Sequence, residues 1–570
     1  MRLSLYTNSE WGQSMKCAAR PGAISFALVT LAACNGGPSG GPVLPPGSVA
    51  CATPAVVDLA VGEGVVLDPS ASGNCLQIPA PATGTSRHII VTVATAGDEL
   101  TNGVKSAYSV SGAAASTGSA SIADDFEPPP PVIGGFGQHL SADEFHHRIR
   151  QWDHQISEDM GTRLLAASPP AGPRPVPVLG TVDSFFVCAN ADCNTFVKVG
   201  ATTMYVGSRS AIYLDNASPA GGFTQDDINQ VGELFENQTY GLHKTDTTAF
   251  GAESDLDGNG VVKVLLTPRV NRLTTDCTTS IIVGFFLGLD LTTQQGSNRG
   301  EVFYHLVPDP NSASCPVSKS FASTLLPVTF IHEFQHMISF NQHVILRDGL
   351  SELTWLNEGL SHYAEELGGR VIDNSECQNA NCFSQFTSDN FNDGYKYLNN
   401  PEAAFLIEPG SSGGTLAERG ANWLFVRWYL DQFATTLPLG TDMTRKLEQT
   451  TAIGFNNVAA QSGVDFSTLV TQWQLANYLA GDTTLVQTAG SRFQYTSWDL
   501  HHIYGVNGYP KPYPLTPPVV TTSFTHSGTL RGGSGVHYII QRSATDTAFN
   551  FKLQITDPSV LPRFGVVRIQ

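Results

Sequence analysis

Positive charge is scarce in this chain of 570 residues: 31 Lys and Arg stand against 50 Asp and Glu, for a formal net charge of −19. Nucleic acid would meet repulsion rather than a basic face, so nucleic-acid partners are excluded. Charge of either sign is low as well, at 14% of residues, and with abundant Gly, Ser and Thr this balance suits a secreted, soluble protein. Also missing is any apolar run of transmembrane length; the nearest approach, Ala23 to Leu31, is too short to span a bilayer. The length is too great for one hydrophobic core and implies about two to four domains.

Lys16 and Arg20 precede that short run, and Leu31-Ala-Ala-Cys34 ends it. Residues 1–34 read as an export signal whose end resembles a bacterial lipoprotein cleavage box, with Cys34 as the lipidated first residue of the mature chain. An ordinary signal peptide cut nearby is the alternative. Either way the chain is exported, to a bacterial outer membrane or cell surface or onward to the medium, and a lipid on Cys34 is its only visible membrane anchor. Residues 35–50 are a Gly/Pro-rich flexible tether. Of ten cysteines, Cys17 falls in the signal and Cys34 is the lipid site. The other eight suggest disulfides between sequence neighbours: Cys51/Cys75, Cys188/Cys193, Cys277/Cys315 and Cys377/Cys382. An oxidising compartment disfavours a four-cysteine zinc site as the alternative.

The pattern is multidomain α+β. Residues 51–123 alternate in short runs such as His88-Ile-Ile-Val-Thr-Val-Ala94 and predict an N-terminal β-sandwich, read as a spacer or pro-domain. Residues 124–175 form a Pro-rich linker and a helix, a candidate propeptide. The helix starts at Ser141 with Glu144 at capping-box spacing, and its His146, His147 and His154 are expected on a solvated polar face. From 176 to 512 the pattern is α/β and then helical, with a helix capped by Thr224 and amphipathic helices near 415–431 and 466–479 whose tryptophans should pack in the core. Residues 513–570 predict a small C-terminal β-domain. The loop Asp255-Leu-Asp257-Gly-Asn259-Gly260 places oxygens at positions 1, 3 and 5 and glycine at 6, as in an EF-hand, but position 12 is Leu266 rather than glutamate. A calcium ion bracing the loop and a plain Asp/Asn-Gly turn both remain open.

The most informative stretch is Thr329-Phe-Ile-His332-Glu333-Phe-Gln-His336-Met337-Ile338. On a helix, residues four apart share a face, so His332 and His336 can bind one metal ion while Glu333 reaches a water on it. Catalytic zinc usually takes three protein ligands. Glu358, in Trp355-Leu-Asn-Glu358-Gly-Leu-Ser on a second apolar-periodic helix, is the third candidate. Glu365, seven residues on and on the same face, is the expected partner of a ligating histidine.

These two motifs resemble the gluzincin metallopeptidases, and their wording is most similar to the hyicolysin group. The resemblance implies zinc as cofactor, a mixed sheet leading into the zinc helices, a helical second lobe, and protein or peptide substrates. In that chemistry zinc acidifies its water, Glu333 takes the proton and passes it to the departing amine, and a further donor meets the oxyanion. Tyr395, Tyr397, His362, His501 and His502 are candidate donors. Where some gluzincins carry an acidic residue four positions after the third ligand, this chain has His362. The alternative of another class is a surface-displayed binding or adhesion lipoprotein on an inactive peptidase scaffold, and an intact Glu333 favours the enzyme.

Overall fold

The computed structural model describes residues 48–115, 142–163, 174–278, 280–372, 384–410, 413–480 and 492–570. The signal and Cys34, most of the tether, Ser141 and the Cys377/Cys382 pair lie outside these residues. The chain opens with strands β1 (Ser48–Val49), β2 (Ala55–Val56), β3 (Gly64–Leu67), β4 (Cys75–Ile78), β5 (Thr85–Ala94) and β6 (Lys105–Ala115), followed by helix α1 (Ala142–Arg163). Next come β7 (Val182–Cys188), β8 (Phe196–Val206), β9 (Ser210–Asp215), α2 (Gln225–Glu236), α3 (Leu242–Ala249), β10 (Val262–Leu266), the single turn α4 (Pro268–Asn271), β11 (Gly284–Phe286) and β12 (Val302–His305). Helices α5 (Lys319–Phe340), α6 (Thr354–Ile372), α7 (Ser388–Asn399), α8 (Leu416–Phe433), α9 (Thr441–Glu448), α10 (Gly454–Ser462), α11 (Phe466–Leu479) and α12 (Leu500–Val506) lead to β13 (Val519–Val520), β14 (Phe524–Arg531), β15 (Gly535–Ser543), β16 (Phe549–Ile555) and β17 (Pro562–Arg568).

The expectation of separate N- and C-terminal β-domains is corrected by the strand pairing. One sheet runs β1-β6-β16-β4-β2 with β14 also on β6, and the other runs β13-β15-β5-β17-β3, so strands from the two ends of the chain interleave. β5 lies between β15 and β17, with Ile90 opposite Tyr538 on one side and Val566 on the other. The physical reason is visible in β5. Ile90 and Ala94 join Tyr538, Phe551 and Phe564 in the core between the sheets, while Ile89, Val91 and Val93 face the opposite way into the main core of the body. A strand buried on both faces reads as a continuous apolar run, and it needs partners on both edges. The C-terminal strands supply them. Helix α11 packs on this second sheet, where His537 Nε2 donates to the Gln474 carbonyl at 2.8 Å.

The body is built on a mixed six-stranded sheet, β11-β12-β10-β9-β8-β7, with β9, β10 and β12 parallel and β11 antiparallel at one edge. α2 begins at Thr224, which forms a capping box with Asp227. α5 is capped by Ser318 and is buried along almost its whole length after Ala322. Gly284 explains how closely β11 approaches α5: a Cβ there would lie 2.6 Å from the Tyr304 carbonyl and 2.7 Å from Thr329 Cγ2. α8, expected to be amphipathic, is buried on nearly all sides from Gly420 to Asp431 because α6 and α7 pack against it. Its Trp423 and Trp428, and Trp473 of α11, are core residues with no exposure. Three disulfides are present among the described residues, Cys51–Cys75, Cys188–Cys193 and Cys277–Cys315. No helix of the described residues is long and apolar enough to cross a membrane.

Candidate metal centre

The centre is made where α5 crosses α6. His332 and His336 lie one turn apart on α5, and their Nε2 atoms are 3.2 Å apart. Glu358, in the first turns of α6, brings Oε2 to 3.5 Å from His332 Nε2 and Oε1 to 3.6 Å from His336 Nε2. Ligands at zinc's usual bond lengths on a tetrahedron are separated by about 3.3 Å, so these three edges fit one ion. Glu358 is 2% exposed, and neither of its oxygens has a hydrogen-bond partner. A buried carboxylate with no partner is costly unless a cation completes it.

The other nitrogens of both imidazoles are held from behind. Glu365 Oε1 lies 2.8 Å from His332 Nδ1 and its Oε2 lies 3.2 Å from His362 Nδ1. His336 Nδ1 meets Asn357 Oδ1 at 2.8 Å and Ser361 Oγ at 2.9 Å. Helical spacing on α6 accounts for both sets: Glu358, His362 and Glu365 form one stripe, and Asn357 and Ser361 form the adjacent one. Such contacts fix each ring with Nε2 forward. Burial raises the Glu365 carboxyl, but His362 and His332 outweigh it and hold it at about 2. Burial would depress His332, yet Glu358 and Glu365 lift it to about 10. A second grouping, His332, His362 and Glu365, also has ligand atoms close together. Its carboxylate is already satisfied by both rings, so the set with Glu358 is the better fit.

Glu333 is 1% exposed, and its Oε2 accepts the Phe286 amide of β11 at 2.8 Å. Burial raises its carboxyl, with His332 and Arg150 opposing. α6 is clamped in place by a buried network: Arg427 of α8 donates to Glu366 at 3.0 Å and Asp431 at 2.8 Å, while Arg370 donates to Glu366 at 2.7 Å. Gly359 lets α6 close on α8, since a Cβ would lie 2.9 Å from the Asn422 carbonyl.

Of the candidate oxyanion donors, His362 stacks edge-on against His332 with ring centroids 4.9 Å apart, and its Nε2 has no partner. The others are engaged or remote: Tyr397 meets Gln474, Tyr395 accepts the Lys511 amide, and His501 and His502 are exposed. The α1 histidines differ from the solvated face expected. His147 is buried and held by Glu408 at 2.9 Å and the Pro409 carbonyl at 2.8 Å. His154 meets the Ser351 carbonyl, and only His146 and His154 keep partial exposure.

At the acidic loop, ligand atoms of Asp255, Asp257 and Glu301 lie close together. The Asn259 side-chain oxygen instead accepts the Val261 amide. Lys263 Nζ sits 2.5 Å from Asp257 Oδ2 and supplies positive charge from within the chain, which favours the plain turn over calcium. Asn357, Ser361, the Phe286 amide and Arg150 carried no signal of their role in the sequence; only the i+4 spacing of Asn357 and Ser361 could have hinted at a shared partner.

No known protein-family model matches the chain. A curated protein similar to part of it is the neutral metalloprotease ShpI of Staphylococcus hyicus, 29% identical over 191 residues, which make up 32% of this chain and 39% of that protein. The chain therefore spans well under half of that relative. The likeness is to a metallopeptidase over a portion of each chain, in keeping with a centre of two imidazoles and a carboxylate.

Proposed function

We propose that the chain is an exported zinc-dependent endopeptidase of the gluzincin type, nearest the hyicolysin group, acting on extracellular proteins or peptides. The observation that carries this reading is the tetrahedral spacing of His332 Nε2, His336 Nε2 and the unpartnered Glu358 carboxylate. Zinc, when bound, supplies Lewis-acid polarisation of the scissile carbonyl and a water acidified towards neutrality. Glu333 is the general base. One of its oxygens is fixed by the Phe286 amide, and its raised affinity for protons suits a group that takes a proton and returns it to the departing amine. Glu365 and Asn357 orient the two imidazoles, and His362 is placed to donate to the developing oxyanion. Cys34 is the proposed lipid site, and Cys34→Ser should move the protein from the membrane to the soluble fraction.

The test is cleavage of an unfolded protein by wild type and Glu333→Gln, each shown to hold one zinc. Loss of a general base lowers the rate by about 10²- to 10⁴-fold. Equal cleavage by both proteins would remove Glu333 from the mechanism, and failure of His332→Ala/His336→Ala to lose zinc would remove the metal assignment.

A further inference from the structure

The metal centre is closed. With α1 in place, His332 is 6% exposed, Glu358 2%, and Glu333 and His336 1% each, so no peptide reaches these groups unless something moves. Helix α1 lies beside the centre, since Arg150 donates to the carbonyl of Phe286, the residue whose amide holds Glu333. Phe145, Ile149 and Ile156 bury one face of the helix, and the Phe145 ring meets that of Phe285 in β11 at 5.2 Å. Arg150 and Asp153, paired at 3.2 Å, are both buried on the side of α1 that meets β11 and the segment after it.

What this pair binds indicates its role. In an antiparallel strand, successive residues turn their amide and carbonyl to opposite edges. The Val283 carbonyl pairs inward with the Leu306 amide of the segment after β12, so Phe286 faces the open edge. That edge is where an extended peptide would add a strand beside the centre. Arg150 donates to the Phe286 carbonyl at 2.6 Å, and the Gly288 amide donates to Asp153 at 2.7 Å. One helical turn thus satisfies one backbone acceptor and one backbone donor at the position an incoming chain would use. Two Pro-rich stretches flank the helix in the sequence, Pro128 to Pro131 and Ser168 to Pro175, punctuation that marks it off from both neighbours.

We infer that α1 is an autoinhibitory latch, in which Arg150 and Asp153 cap the β11 edge in place of a peptide and hold the metal centre shut until α1 lifts. The inference rests on the peptidase reading for its consequence but not for its geometry. It also departs from a discarded propeptide. β5 and β6 are central strands of the sandwich, so a chain cut after α1 keeps everything before it, and α1 stays tethered while it swings away.

Two forms of the full-length protein test this: Arg150→Ala/Asp153→Ala, and a chain carrying a specific protease site between Arg163 and Arg174, cut in the native state. Both are compared with uncut wild type by kcat/KM on an unfolded protein and by amide hydrogen exchange at Gly288. The latch predicts at least a tenfold rise in exchange and in kcat/KM for both forms. Faster exchange with zinc bound and no cleavage by any form would support the latch and sink the peptidase reading. Unchanged exchange in the cut protein, or cleavage by folded Arg150→Ala/Asp153→Ala no faster than wild type, would overturn the latch while leaving the peptidase intact.

Discussion

The β-sandwich and the body that holds the candidate metal centre are secured by opposite means. The sandwich is joined by pairings between residues more than four hundred positions apart, such as Ile90 with Tyr538 and Val110 with Leu553, around an apolar core of Phe549, Phe551, Phe564 and their neighbours. The body concentrates its specificity in buried charge: Arg427, Glu366, Arg370 and Asp431 lock α6 to α8. Apolar burial tolerates adjustment, whereas a buried charge network holds one arrangement and fails sharply when a partner is lost. A metal centre needs the second property.

The contrast can be broken most forcefully at Arg427. Arg427→Met leaves Asp431 buried without its ion-pair partner and Glu366 with Arg370 alone, and the cost expected from such a loss is about 3–5 kcal/mol. Chemical denaturation should show it together with weakened zinc retention, and a variant as stable as wild type would show that the network does not secure α6.

Acid should weaken the sandwich next. Burial pushes His88 and His537, both in the sandwich, down to about 4, while an unfolded histidine titrates near 6.5. The unfolded state therefore binds the protons, so this stability is fully present above about pH 6.5 and is lost as pH falls towards 4. Each group contributes up to about 3 kcal/mol. His537→Gln should flatten the pH dependence of unfolding between pH 6.5 and 4.5 by close to one proton, and an unchanged slope would count against this assignment. In the body, His305 in β12 is also held near 4, and burial depresses His146 and His336 as well.

The smallest effect is expected at Gly359→Ala. The added methyl meets the Asn422 carbonyl and Val426, and overpacking of this kind costs about 1–3 kcal/mol. Because α6 carries Glu358, zinc affinity should fall with stability, whereas a pure loss of stability at constant affinity would mean that α6 tilts without moving its ligand.

The same contrast explains what could be read from the sequence. His332, Glu333, His336, Glu358 and Glu365 span 34 residues on two helices, and the helical period alone places them on facing stripes. The Thr224 cap is legible for the same local reason. The sandwich was misread as two domains because no local pattern states which distant strand fills an edge. α1 was misread too. Its histidines look solvated until Glu408, some 260 positions away, is brought beside His147, and the Phe286 amide that holds Glu333 leaves no trace in side-chain identity.

The interleaved topology also sets an order of events during synthesis. β5 and β6 precede the body in the chain, while β15 and β17, which cover both edges of β5, and β14 and β16, which pair with β6, follow it. Until those strands are made, β5 carries two apolar faces and two unpaired edges, the condition most prone to misassociation. A chain that stops short of Pro562 lacks β17 and leaves β5 open beside β3. Completion of the sandwich is thus a built-in checkpoint that only a chain carrying β17 passes.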